Sequence, residues 1–157
     1  MFSKLKKWYE VLIRSGSILR SPILLAMRLY WGWLLFQAGL GKLQHIDPFA
    51  TLLASLGFPL TYIQAYAAAL SECSGGVCLM LGFASRLMAI PVIITMLVAY
   101  ATAHRQSLLT LFSDPGLFIE QGPFLFLLTA LLVFAFGPGK LSIDYLIQRL
   151  IFKKSEF

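Results

Sequence analysis

The sequence predicts an all-α fold, an integral membrane four-helix bundle with amphipathic N- and C-terminal interfacial helices. Three observations carry that reading. Of 157 residues, 59% are hydrophobic and only 13% charged, where an ordinary soluble domain carries about 25% charged residues. Four apolar windows come near the ~17–25 residues that a helix needs to span a bilayer. The basic residues gather at the flanks of those windows, and little chain is left to build a soluble domain.

Residues 1–21 interleave Leu5, Trp8, Tyr9, Leu12, Ile13 and Leu19 with Lys and Arg, the pattern of a helix lying on a membrane surface. Arg14 and Arg20 interrupt the apolar stretch that a cleaved signal peptide needs, so none is expected. Residues 22–139 hold the four spans. The first, Pro22 to Leu43, sets Arg28, Gly32, Leu35, Gly39 and Lys42 on one helical face. Charges avoid lipid and glycines allow close approach, so this face is expected to turn inward. His45, Asp47 and Pro48 then lead into Phe49 to Leu56, read as a small re-entrant or interfacial turn that Gly57 and Pro59 end.

The second span, Leu60 to Phe83, carries Glu72 about 15 Å deep at 1.5 Å per residue. Its helical neighbours Ala68, Ala69, Gly75 and Gly76 are all small. Arg28, on the antiparallel first span, is expected about 6 Å nearer the cytoplasm, within reach of Glu72. Gly82 to Arg86 reads as a tight cytoplasmic turn. The third span, Arg86 to Ala103, contains Pro91, which membrane helices tolerate, and Tyr100 and His104 lie one turn apart at its outer end. The fourth, Leu117 to Phe136, is stopped by Gly137, Pro138 and Gly139. In residues 140–157, Ser142 and Asp144 are predicted to cap a last amphipathic helix with Tyr145, Leu146, Leu150 and Ile151.

The net charge of +6 is topological on this reading. Lys4, Lys6, Lys7, Arg14, Arg20, Arg86, Lys140, Arg149, Lys153 and Lys154 fall on one side and only Lys42 and Arg105 on the other. The positive-inside rule then puts both termini in the cytoplasm. No polar domain interleaves basic and aromatic residues, which argues against nucleic acid as a partner. Cys73 and Cys78 point roughly 140° apart on one helix and form no Cys-x-x-Cys pair, so they read as buried thiols.

Chemistry is expected around Glu72. A carboxylate near mid-bilayer costs about 2.5–3.5 kcal/mol on insertion scales. Such a group either carries a proton or orients a ligand, or it forms a structural ion pair, for which Arg28 is the expected partner. Glu72 and Arg28 are therefore the catalytic candidates, with Lys42 and Arg86 as supporting charges. Tyr100 and His104 could serve a quinone as hydrogen-bond donor and proton shuttle, or simply anchor the helix at the interface. Two histidines in separate outer segments, His45 and His104, are too few for a metal site, and no metal is expected.

The residues in order form a pattern: Arg28, the Phe36, Gly39 and Lys42 of FQAGLGK, Gly57 and Pro59 of LGFP, Glu72, Gly75 and Gly76 of SECSGG, LGFASR ending at Arg86, and Gly137, Gly139, Ser142 and Asp144 of GPGKLSID. In this order and spacing the chain resembles the DoxX family of small four-helix membrane proteins, from about Arg28 to Asp144. The resemblance implies an association with redox chemistry, because the related DoxD branch is similar to the membrane subunit of thiosulfate:quinone oxidoreductase. The cofactor is left open, with a quinone as one candidate. The sequence carries no flavin, haem, nicotinamide or iron–sulfur motif, so any other carrier would come from a partner.

The leading expectation is thus an inner-membrane subunit that binds a quinone or similar apolar redox molecule between its helices and works with a partner oxidoreductase. A nonenzymatic scaffold for a redox or envelope complex and a small-molecule or proton permease are the alternatives. The small-residue faces also suit a homo-oligomer, and lipid surrounds the chain in every case.

Overall fold

The computed structural model describes residues 2–152. Among them are eight helices and no strand: α1 Phe2–Gln44, α2 Ile46–Ser55, α3 Thr61–Leu81, α4 Ser85–Ala101, α5 Arg105–Leu109, α6 Pro115–Ile119, α7 Gly122–Phe136 and α8 Ile143–Phe152. Four of these form a closed ring, in which α1 packs along α3, α3 against α4, α4 against α7 and α7 back against α1. The stretch Ile18–Gln44 of α1 is long and apolar enough to cross a membrane, while α4 and α7 are shorter apolar helices.

The face predicted on the first span is the one that turns inward. Leu24, Arg28, Gly32, Leu35 and Gly39 are buried, whereas Leu29, Trp33 and Leu40 on the opposite side are exposed. The core gathers Leu35, Leu79, Ala89, Val92, Met96, Tyr100, Leu127, Ala130 and Val133, so all four ring helices contribute to it. The outer surface is nonetheless rich in Leu70, Ile90, Ile94, Leu97 and Leu131, each well exposed. This is apolar inside and apolar outside, the composition of a helix assembly whose surroundings are themselves apolar.

Glycine sets how closely α1 and α3 approach. A Cβ on Gly76 would fall 2.6 Å from the Gly32 carbonyl oxygen and from the Phe36 nitrogen, and one on Gly39 would fall 2.7 Å from the Cys73 nitrogen. Backbone therefore meets backbone at two levels along the crossing, as small residues permit between membrane helices.

Three expectations about the elements need correction. The fourth span is broken: α6 ends at Ile119 and α7 begins at Gly122, with Pro123 in its first turn, where the missing N–H costs nothing but could not continue a helix from before. The segment after Lys42 is a regular ten-residue helix, α2. At the other end, α1 runs without interruption through Pro22, so no break separates residues 1–21 from the first span. Trp8 and Tyr9 are exposed there. Residues 153–157 of the C-terminal segment lie outside the described residues.

The end of the bundle near residues 82–86 and 137–144 is tied by polar contacts. Asp144 accepts hydrogen bonds from the Ala84 and Ser85 N–H groups at 2.7 and 2.9 Å. It thus caps α4, not α8 as predicted, and it holds Ala84 at φ +45°, a left-handed conformation costly for a residue with a Cβ. Ser142 does cap α8, accepting from the Tyr145 N–H at 3.1 Å. Gly82, at φ +66°, fills the remaining gap: a Cβ there would collide with Arg28 and Ser142.

Candidate functional site

Glu72 is 1% exposed and sits on the face of α3 that looks toward α1. Its partner is Lys42: the Nζ donates to Oε1 in the one ion pair found among the described residues. The Lys42 ammonium also lies 5.2 Å from the centre of the Phe49 ring on α2, a cation–π contact. Glu72 Oε2 is buried and has no hydrogen-bond partner.

Arg28 does not reach Glu72. Its Nη2 donates to the Leu141 carbonyl at 2.6 Å and its Nε to the Leu24 carbonyl at 3.3 Å. The register of the glycine crossing explains the difference. Gly32 lies opposite Gly76, and Gly39 lies opposite Ala69 and Cys73, so Glu72 faces the turn of α1 around Ala38 to Lys42. That turn is roughly 15–21 Å along α1 from Arg28 at 1.5 Å per residue. The shorter separation expected from sequence followed from aligning the two spans by their apolar edges.

Beside the ion pair is a cavity of about 630 Å³, between α2, α3, α4 and the start of α7. Leu52, Leu53 and Phe49 of α2 form one wall, Ala67, Ala68 and Ser71 of α3 another, and Ile94, Val98 and Ala99 of α4 a third, while Lys42, Glu72 and His104 are part of its lining. The small side chains on α3 are what open the space. Asp47 ties α2 to the first turn of α3, accepting from the Tyr62 hydroxyl at 3.1 Å.

Of the residues singled out from sequence, then, Glu72, Lys42 and His104 come together at one cavity, and three others do not. Tyr100 is buried at 1% exposure with its hydroxyl donating to the Phe118 carbonyl at 2.8 Å and its ring stacked on Phe118; its polar end is engaged in packing. Arg86 is exposed, with Nη2 3.4 Å from the Ala135 carbonyl, near the end tied by Arg28 and Asp144. A second hollow, of about 970 Å³, opens there between Arg20, Arg86 and Lys140. The α2 side chains are the part of the site that the sequence reading missed. Their apolar character was visible, but nothing local said that an interfacial turn would fold back over Glu72. Cys73 is a free thiol at 3.8 Å from the Phe36 carbonyl, and Cys78 is also free.

The DoxX family model matches residues 23–105, just over half the chain. The chain belongs to the DoxX family. The match takes in Arg28, Gly39, Lys42, Glu72, Gly75, Gly76 and Arg86; the segment from Gly137 to Asp144 lies beyond it. DoxX membership makes this a membrane-associated protein with a link to redox chemistry. No curated protein and no solved structure matches the chain.

Proposed function

We propose that this DoxX protein is an inner-membrane four-helix bundle that holds a quinone or similar apolar redox molecule in the cavity beside Glu72 and Lys42, working with a partner oxidoreductase. Both termini are cytoplasmic by the positive-inside rule, which puts the Lys42–Glu72 end toward the outer leaflet. The observation that carries the reading is the cavity itself. Its volume of about 630 Å³ is within the ~300–1,000 Å³ of small-molecule sites, and an apolar lining with a few polar groups at one end is the usual form of such sites. The exposed apolar side chains around the four-helix ring support burial in lipid. Lys42 and Glu72 fix the head of the ligand and α2 excludes water from it, while electrons come from the partner.

Native mass spectrometry of the protein gently extracted from its membrane tests this. The wild type is expected to carry a quinone-mass adduct, and Ala68→Phe, which fills the cavity from α3, is expected to lose it while keeping the same subunit count. An adduct that survives the filled cavity would contradict the site. A ligand-free wild type bound to a stable partner would instead favour the scaffold.

A further inference from the structure

We propose that the hollow between Arg20, Arg86 and Lys140 binds the phosphate of an anionic lipid, at the end of the bundle away from Glu72. The three cations come from three parts of the chain. Arg20 stands at the start of the stretch of α1 that is long and apolar enough to cross a membrane, Arg86 is the second residue of α4, and Lys140 follows the end of α7. The level at which spanning helices begin and end is that of the lipid headgroups. The hollow that they line has a volume of about 970 Å³. None of the three forms an ion pair among the described residues. Asp144 is the one acid in the lining among those residues, and its two oxygens already accept from the Ala84 and Ser85 N–H groups. Positive charge therefore prevails in the hollow.

The cations are held in place without being used up. Arg20 Nη2 donates to the Phe136 carbonyl, with the guanidinium 5.6 Å from the centre of the Phe136 ring, and Arg86 Nη2 donates to the Ala135 carbonyl at 3.4 Å. The Lys140 N–H donates to Ser21 Oγ at 3.3 Å, which ties its backbone to α1. Both arginines thus cap the last turn of α7, but a guanidinium has five N–H donors and each cap takes one. The rest of each fork suits a phosphate, which arginine can grip with two parallel hydrogen bonds. Two observations favour a lipid over a soluble phosphate. Ile18, Leu87, Phe136 and Leu141 line the same hollow and are well exposed, which gives acyl chains an apolar surface directly beside the cations. The DoxX chain is also membrane-associated, and basic pockets between membrane helices are a recurrent seat of anionic headgroups.

The experiment titrates the full chain in detergent micelles with dioleoylphosphatidylglycerol, dioleoylphosphatidylcholine or glycerol phosphate, and follows the adducts by native mass spectrometry. The two lipids share acyl chains and a phosphate and differ in net charge. The wild type is expected to bind the anionic lipid at least about tenfold more tightly than either other probe. Arg86→Gln with Lys140→Gln is expected to bring the two lipids to within about threefold of each other. Lys6→Gln with Arg149→Gln removes the same charge outside the hollow and is expected to keep the preference. Equal binding of the two lipids to the wild type, or the same loss in both double variants, would overturn the proposal. Glycerol phosphate binding as tightly as the anionic lipid would overturn the lipid as occupant in favour of a soluble phosphate. Should the Arg86 and Lys140 double variant fail to fold, Lys140→Glu at an exposed position carries the test: the preference is expected to collapse, and a preference equal to that of the wild type would contradict the site.

Discussion

Lys42→Met is expected to destabilise the protein by about 3–5 kcal/mol, and adding Glu72→Leu is expected to restore most of the loss. Glu72 is the buried member of the pair. Glu72 has 2% of its side chain exposed and depends on Lys42 alone for a partner, while Lys42 keeps 32%. Removing one member leaves a charge in an apolar interior, the strongly unfavourable case, whereas replacing both by apolar groups of similar volume is often neutral. Unfolding titrations in mixed micelles on the wild type, both single variants and the double variant form the cycle that isolates the coupling. Additive effects, or a harmless Lys42→Met, would show that the pair does not hold α1 to α3. Arg28→Met should not couple to Glu72→Leu in the same assay, because Arg28 meets Leu24 and Leu141 instead.

Gly76→Leu is expected to be the most damaging apolar substitution in the chain. Even the Cβ of alanine would fall 2.6 Å from two backbone atoms of α1, and backbone cannot move aside as a flexible side chain can. Overpacking of this kind costs roughly 1–3 kcal/mol and more when the helices must separate. Leucine adds three further carbons at the same point, so α1 and α3 would part and the Lys42–Glu72 pair would open with them. Loss of the folded form in detergent, read by size-exclusion profile and resistance to proteolysis, checks this. Gly41→Leu is the control, since a Cβ at Gly41 would have nothing within 4 Å. Equal behaviour of the two variants would contradict the close crossing.

Much of this arrangement is legible in the sequence because helical periodicity is a local property. The inward face of α1 follows from the spacing of Arg28, Gly32, Leu35 and Gly39, and the importance of Glu72 follows from one acid among small residues. Register is not local. Which level of α1 meets Glu72 depends on where glycine lets two backbones touch, and pairing Gly32 with Gly76 moves the partner from Arg28 to Lys42. The same limit hid α2: a ten-residue apolar stretch between His45 and Gly57 is consistent with lying in an interface, and its return over Glu72 is decided by packing of Ala50 and contacts such as Tyr62 with Asp47. Asp144 was recognisable as a capping residue, but it caps the helix that lies beside it in space and not the one in which it lies. The break between α6 and α7 was carried by Pro123 and could have been read as a helix start.

Photolabelling with an azido-quinone analogue in native membranes, followed by peptide mapping, tests the central claim most directly. The cavity predicts crosslinks concentrated on two stretches remote in sequence, Phe49–Leu56 of α2 with its C-terminal flank and Ile94–His104 at the C-terminal end of α4 and just beyond it, competed away by excess unlabelled quinone. Labelling spread over outward-facing residues such as Leu29, Leu70 and Leu131, and unaffected by competitor, would mean that the probe had only partitioned into lipid and that the space beside Glu72 and Lys42 is not a binding site.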